Sequence, residues 1–323
     1  MSATDFRIVF MGTPDFAVGI LDGLIEKGFH VVSTITAPDK PAGRGQQISE
    51  SAVKKYSTTH AIPVLQPTNL KDPDFVNELQ QLNADLFVVV AFRMLPEIVW
   101  NMPPKGTINL HASLLPQYRG AAPINWAIVN GEAQTGVTTF FIEKEIDTGM
   151  VIERRPISIG ENETAGELHD RLMELGRELV TKSVAQIESG KVERTPQEAL
   201  LETEELKSAP KIFKPMCEVN WKESVQTIHD FCRGFSPYPT AWTKIHNKAK
   251  GESKIIKIFA TLKTDIPTGN DHRLVKDKEG ILFPCGDFYL KVLELQPEGK
   301  RRMSAREFMA GYAPEDWQTE VSN

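Results

Sequence analysis

Apolar positions in the first half of the chain follow two alternating patterns. Continuous apolar runs bounded by turn residues favour strands that are buried on both faces. We predict such strands at Phe6–Met11, His30–Ala37, Ile62–Leu65, Asp85–Ala91, Thr107–Leu110 and Val137–Phe141. A repeat of about 3.6 residues predicts helices at Asp15–Lys27, Val53–His60, Phe75–Leu82 and Ala165–Ser189. The alternation predicts an α/β fold with a Rossmann-like, doubly wound, mostly parallel sheet, whose ligands bind at the carboxyl ends of the strands.

The pattern changes after the long helix. Residues 191–209 are polar and are predicted to be a linker. A helix at Ser224–Phe235 is followed by short β-rich segments at Trp242–Ile245, Ser253–Leu262, Gly280–Pro284 and Phe288–Gln296. Short strands separated by turns predict a small OB-like β-barrel. We therefore expect one domain at residues 1–190 and a second at residues 210–323.

Composition agrees with a globular protein of two domains. The 323 residues are 41% hydrophobic and 25% charged. No apolar run reaches the roughly 18 residues of a membrane helix, and the start of the chain shows no signal-peptide pattern. Three cysteines without metal-ligand spacing indicate a reducing compartment and no structural metal. We expect a cytoplasmic protein and, without a long exposed apolar segment, a monomer.

The charge is unevenly distributed. The net charge of −6 argues against a nucleic-acid partner for the chain as a whole. From Lys207 onward, however, the chain contains 19 basic and 15 acidic residues, which gives this part a net charge of +4. An excess this small is also what ordinary scatter produces, so charge alone does not identify a partner.

The first strand is followed by a turn, Gly12-Thr13-Pro14. The dinucleotide fingerprint requires three spaced glycines, which this turn lacks. We interpret it as a tight strand-to-helix turn and predict no NAD site.

The densest group of chemically capable residues follows the strand Thr107–Leu110. Asn109 and His111 are separated by one residue, so their side chains share one face. The amide of Asn109 can donate to a developing oxyanion, and His111 can donate to the same oxygen or move a proton. A single histidine is often structural. The Ser113–Pro116 segment and Arg119, which follow closely, favour a functional site.

A second group is Asp147-Thr148-Gly149, after the strand Val137–Phe141. Its carboxylate can orient a neighbouring histidine and raise its basicity. The tripeptide also matches the aspartic-protease signature, but that enzyme class needs a second catalytic aspartate turn, which is missing. A simple Asx-turn remains the alternative.

These groups together resemble the core of the 10-formyltetrahydrofolate-dependent formyltransferases. The resemblance continues over nearly the whole chain, and its later motifs are similar to those of members that formylate methionyl-tRNA. Further matching segments are Met11–Ala17, Pro41–Gly45, Ala209–Ile212, Asn220-Trp221, Arg233–Pro239, Ala241-Trp242 and Gly299–Ser304.

The resemblance implies transfer of a formyl group from 10-formyltetrahydrofolate to the α-amino group of methionine on initiator methionyl-tRNA, without a metal. It makes residues 1–190 the catalytic domain and residues 210–323 a tRNA-binding domain. It assigns catalysis to Asn109, His111 and Asp147, folate binding to Ser113, Leu114, Leu115 and Pro116, and tRNA binding to Arg44, Lys54 and Arg119.

Two positions depart from the family pattern. Arg93 stands where a glycine is usual, so the backbone of the folate pocket there is not carried over. Gln46 and Gln47 replace two basic residues after Gly45, which leaves Arg44 as the main charge of that loop.

Three alternatives stay open. A sugar-nucleotide formyltransferase or the hydrolase domain of formyltetrahydrofolate dehydrogenase could use the same Asn-His-Asp core. An RNA-binding module with an inactive enzyme domain is the third. The Pro41–Gly45 loop and the Arg233–Trp242 segment argue for tRNA, and the intact core argues for an enzyme.

Overall fold

The structure is a computed structural model that describes residues 5–42, 47–201, 205–269 and 272–319. The strands are β1 Arg7–Gly12, β2 His30–Ile35, β3 Lys40–Ala42, β4 Gln47–Ser49, β5 Val64–Leu65, β6 Leu86–Val90, β7 Thr107–His111, β8 Arg119–Gly120, β9 Gln134–Phe141, β10 Val151–Ser158, β11 Ser208–Ala209, β12 Ala241–Asn247, β13 Glu252–Pro267, β14 Val275–Lys276, β15 Ile281–Pro284, β16 Phe288–Pro297, β17 Met303–Ser304 and β18 Gln318–Thr319. The α-helices are α1 Asp15–Glu26, α2 Ala52–Thr59, α3 Pro73–Gln81, α4 Glu97–Trp100, α5 Pro123–Val129, α6 Ala165–Glu188, α7 Val225–Gly234 and α8 Ala305–Gly311.

The first sheet has seven strands in the order β10-β9-β7-β6-β1-β2-β5. The strands β5, β2, β1, β6 and β7 are parallel neighbours, and β9 runs antiparallel to β7. Every residue of β6 is buried, as expected for a strand covered on both faces. The predicted α/β sheet is confirmed, and β1, β6 and β7 end at the same edge of it.

The second sheet is antiparallel and curls, in the order β14-β15-β16-β13-β12-β18. The strands at its two ends, β14 and β18, approach each other: Arg273, just before β14, forms a β-bridge to Gln318 of β18. The neighbouring Leu274 N–H donates to the Trp317 carbonyl at 2.9 Å. A sheet that closes in this way has the form of a small barrel, which confirms the predicted β-rich C-terminal architecture.

The chain forms two compact units. The first contains Met1–Gly120, Thr135–Ile157 and His169–Ser208, and the second contains Ala121–Gln134, Ser158–Leu168 and Ala209–Asn323. Within the second unit α5 packs closely on α7, since a Cβ on Gly234 would lie 2.6 Å from the Val129 side chain. Both units therefore draw on several parts of the chain, whereas the predicted boundaries are contiguous. Those boundaries remain a prediction.

Several elements were not anticipated. The Pro41–Gly45 segment, predicted as a loop, begins within β3, which pairs antiparallel with β4. The short helices α4 and α5 and the strand β10 carry weak patterns. In β10 three charged residues interrupt the apolar positions, because this strand lies at the edge of its sheet. None of the described helices combines the length and apolar character needed to cross a membrane.

Candidate active site

Strand β7 carries the first two predicted site residues. It lies between β6 and β9, with Asn109 opposite Val89 of β6 and Phe140 of β9. Asn109 is half-buried, and among the described residues no group forms a hydrogen bond with its side-chain amide. The amide is therefore available to an oxygen of a substrate.

His111, at the end of β7, is buried and held by the loop that follows. Its Nε2 lies 2.8 Å from the carbonyl oxygen of Tyr118. A carbonyl only accepts, so Nε2 carries the proton and donates. The Tyr118 backbone at φ 60° directs this carbonyl toward the ring. The tautomer of His111 is thus set by the Tyr118 carbonyl, whereas the sequence analysis considered only Asp147 as the group that orients this histidine.

Asp147 meets His111 from the turn after β9. Its Oδ2 lies 3.8 Å from His111 Nδ1 and accepts a 3.0 Å hydrogen bond from the Gly120 N–H. Among the described residues none donates to the other oxygen, Oδ1. Asp147 itself adopts φ 56°, a conformation uncommon for residues other than glycine. The structure therefore brings His111 and Asp147 together and leaves one carboxylate oxygen available.

The third residue of that turn must be glycine for steric reasons. A Cβ on Gly149 would lie 1.7 Å from the carbonyl oxygen of Phe141. No side chain fits at this distance, so Gly149 allows the turn to fold back on the end of β9.

The Ser113–Pro116 segment packs inside the first unit. The Ser113 hydroxyl donates to the Gln117 carbonyl at 2.6 Å. The Thr138 hydroxyl donates to the Ser113 carbonyl at 2.6 Å and accepts from the Leu115 N–H at 3.1 Å. Ser113, Leu115 and Pro116 are buried, and Leu114 is half-buried. These contacts hold the loop that contains the Tyr118 carbonyl, and folate binding by the segment remains a prediction.

The three residues predicted to bind tRNA have different surroundings. Arg44 lies outside the described residues. Lys54 forms ion pairs with Asp39 and, at 2.9 Å, with Glu50. The bond to Asp39 contributes most to a raised pKa of Lys54. Arg119 donates to Gln197 Oε1 from Nε at 3.1 Å and from Nη2 at 2.6 Å. Lys54 and Arg119 are thus already engaged within the protein.

Arg93, the departure from the family glycine, connects two loops at the sheet edge. Its guanidinium donates to the carbonyls of Thr68, at 2.9 Å, and Pro67, and lies 5.5 Å from the centre of the Phe92 ring. Burial lowers the pKa of Arg93. Its position ties the segment after β6 to the segment after β5.

Three contributors to this site carried no sequence signal as functional groups. The Tyr118 carbonyl and the Gly120 N–H are backbone groups, so residue type does not reveal them. Gln197 belongs to a polar stretch that was predicted to be a linker. In the described part of the chain, no group of three or more His, Cys, Asp or Glu side chains could hold a metal ion.

Two domain families match the chain. Formyl transferase matches residues 6–184, more than half of the sequence. The chain belongs to the formyl transferase family. The formyl transferase C-terminal domain matches residues 211–313. The predicted membership of this family is confirmed.

Curated relatives of this formyl transferase match it along nearly its full length. Methionyl-tRNA formyltransferase of Bacteroides fragilis is 50% identical over 314 residues, which cover 97% of each chain. Methionyl-tRNA formyltransferase of Flavobacterium johnsoniae is 51% identical over 306 residues, covering 94% of this chain and 96% of the relative.

Solved structures share the fold at low identity. HypX from Aquifex aeolicus in complex with tetrahydrofolic acid aligns with a TM-score of 0.64 and 18% identity over 95% of this chain. This formyl transferase spans 47% of the length of that protein. WlaRD, a sugar 3N-formyl transferase, aligns with a TM-score of 0.63 and 18% identity, covering 92% of this chain and 99% of the other.

Proposed function

We propose that the chain transfers the formyl group of 10-formyltetrahydrofolate to the α-amino group of methionine on initiator methionyl-tRNA. The observation that carries this proposal is that Asn109, whose amide forms no hydrogen bond with the described residues, lies on the same strand as His111, and that His111 lies 3.8 Å from Asp147. The curated relatives of about 50% identity support this choice of acceptor.

The reaction forms a bond between the methionine nitrogen and the formyl carbon and breaks the bond from that carbon to the folate N10. An α-amine has a pKa of about 7.7–8.0, so a useful fraction is neutral and nucleophilic near pH 7. Negative charge develops on the formyl oxygen during the attack. The Asn109 amide donates to that oxygen, and because it forms no hydrogen bond with any described residue, none of those bonds has to be broken first.

The attacking nitrogen must lose a proton, and N10 must gain one. Asp147 Oδ1 is the accepting atom, since Oδ2 is held by the Gly120 N–H. His111 uses Nε2 for Tyr118, so Nδ1, which faces Asp147, is the nitrogen that can exchange a proton. Asp147 and His111 together move the proton from the amine toward N10, and no net proton is consumed.

The tRNA is held by the second unit and by Arg44. The excess of basic residues after Lys207 gives that part of the chain an attraction for phosphate. Residues 1–190 and 210–323 act as the catalytic and tRNA-binding domains in this proposal. The protein works as a monomer in the cytoplasm, where its three buried cysteines, which form no disulfide, stay reduced.

A formylation assay with purified protein tests the proposal. Charged initiator tRNA, a dTDP-amino sugar and water are offered separately as acceptors with 10-formyltetrahydrofolate, and Asp147→Asn serves as the inactive control. We expect formylmethionyl-tRNA to form at a rate at least about 10²-fold above the control. Preferential formylation of the amino sugar, hydrolysis alone, or retention of tRNA without product would each replace the proposal with one of its alternatives.

A further inference from the structure

We infer that Gln197, from the segment between the two matched domains, is a positioning residue that sets the geometry of Asp147. This inference rests on the proposed function, because it concerns the same proton transfer. Gln197 opens a short 3₁₀-helix, Gln197–Leu200, and its side chain is 1% exposed. It lies outside both matched regions, residues 6–184 and 211–313.

The amide nitrogen of Gln197 holds the catalytic turn at two points. Nε2 donates to the carbonyl oxygens of Asp147 and Gly149, each at 2.9 Å. These carbonyls flank Thr148, so one side chain spans the whole Asp147-Thr148-Gly149 turn. Because Asp147 has a left-handed backbone, surrounding bonds must offset a cost of roughly 1 kcal/mol or more.

The amide oxygen of Gln197 is connected to the Asp147 carboxylate through Arg119 and Gly120. Oε1 accepts both bonds from Arg119, the residue before Gly120. The Gly120 N–H in turn donates to Asp147 Oδ2. Gln197, Asp147, Gly120 and Arg119 thus form a closed ring of covalent and hydrogen bonds around the carboxylate.

The chemistry of the partners requires a glutamine amide in this orientation. The two carbonyls only accept and the guanidinium only donates, so the nitrogen must face the turn and the oxygen must face Arg119. Glutamate would retain the acceptor but lose both donors. The backbone supports this placement, since Thr195 and Val151 exchange two hydrogen bonds of 2.8 Å two residues before Gln197.

Gln197→Met and Gln197→Glu test the inference in the full chain. Both remove the two donors, and Gln197→Glu keeps the acceptor for Arg119. We expect kcat to fall about 10- to 100-fold in both variants, because small displacements of a catalytic group have effects of this size. The KM values for folate and tRNA should change less than about threefold, since Gln197 is not expected to touch either substrate.

Gln117→Met is the matched control. The Gln117 amide also joins a loop of the first unit to the segment after residue 200, through Glu205 and Lys207, each at 2.9 Å. It makes no bond to the Asp147 turn. Its kcat should stay within about twofold of the wild type. An equal fall in this control would show that general anchoring of the segment causes the loss.

A double-mutant cycle with Asp147→Asn separates positioning from a structural role. If Gln197 acts through Asp147, adding Gln197→Glu to Asp147→Asn should lower the residual kcat by less than about threefold. Additive losses, or single Gln197 variants with wild-type kcat, would overturn the inference.

The proposed function fails on a different result. A wild-type protein that does not formylate methionyl-tRNA would refute the proposed function and not the inference about Gln197. If Gln197→Met unfolds on a thermal scan, the cycle with Gln197→Glu decides alone.

Discussion

The Gly120 N–H donates a 3.0 Å hydrogen bond to the carboxylate of Asp147, across 27 residues of sequence. This bond holds Oδ2, the oxygen that lies 3.8 Å from His111. The carboxylate is thereby oriented with Oδ1 free of hydrogen bonds from the described residues, and in the proposed mechanism this oxygen accepts the proton of the substrate amine. Orientation and charge at Asp147 can be separated by substitution, because asparagine can accept the same bond from Gly120 without carrying the charge.

We predict that Asp147→Asn lowers kcat by about 10²- to 10⁴-fold while the protein stays folded.

We predict that Asn109→Ala lowers kcat by about 10²- to 10³-fold, the usual cost of losing an oxyanion donor. Its melting temperature should hardly change, because the Asn109 amide forms no hydrogen bond among the described residues.

Asn109→Asp is the control for that donor. It keeps the shape of the side chain but cannot donate when ionised, so it should be as slow as Asn109→Ala. Single-turnover kinetics with saturating substrates would measure these effects. A His111→Ala or Asp147→Asn enzyme that turns over at nearly the wild-type rate would exclude the proposed proton path.

We predict that Gly149→Ala removes activity and destabilises the first unit. The added Cβ would lie 1.7 Å from the Phe141 carbonyl, so the turn must shift. The expected loss of unfolding free energy is about 1–3 kcal/mol or more, measured by urea denaturation. Gly269→Ala is the control, because a Cβ there meets no atom within 4 Å and, as at Gly149, the backbone does not have the positive φ that favours glycine. Equal losses in the two variants would contradict the steric explanation.

We predict that the second unit loses stability in mild acid because of His229. This histidine is buried, with Nδ1 2.8 Å from the Thr261 hydroxyl. Desolvation lowers its pKa, and the positive charge of Arg233 lowers it further, against an opposing contribution from Asp230. The unfolded chain therefore takes up a proton near pH 6.5 that the folded chain resists. Stability is fully present above about pH 6.5 and falls as the pH drops below it.

His229→Gln removes that titration. The slope of unfolding free energy against pH, between about pH 5 and 6.5, should become shallower in this variant. Tryptophan fluorescence suits the measurement, because Trp126, Trp221, Trp242 and Trp317 all belong to the second unit. An unchanged slope would show that another group controls the pH dependence.

We predict that Arg44→Ala strongly lowers kcat/KM for methionyl-tRNA and leaves folate binding intact. Loss of one phosphate contact should make the slope of the logarithm of the tRNA-binding constant against the logarithm of the salt concentration shallower by about one unit. Arg44→Lys should recover only part of the activity, because lysine lacks the forked donors of arginine.

Lys54→Ala provides the comparison. Lys54 is engaged by Asp39 and Glu50, so its removal should change the salt slope less than the removal of Arg44. An unaltered kcat/KM in Arg44→Ala would mean that this arginine is an ordinary surface residue.

Local patterns were sufficient to predict the elements near the site. The buried strands β1, β6 and β7 are short apolar runs, and α6 has a long apolar stripe, so each could be placed within a few residues. The grouping of His111 with Asp147 followed from the family resemblance and not from strand order, because β9 runs antiparallel to β7 and its carboxyl end lies beside the start of β7.

The sequence by itself determined the family and the two architectures and indicated the residues of the candidate site, because apolar periodicity and short motifs are local properties. The tertiary structure alone decided which atoms meet. The Tyr118 carbonyl selects the His111 tautomer, the Gly120 N–H orients Asp147, and Lys54 is engaged by two carboxylates. Gln197 reaches the turn from 50 residues away because Thr195 pairs with Val151. Such contacts depend on backbone groups and long-range packing, which leave no local pattern in the chain.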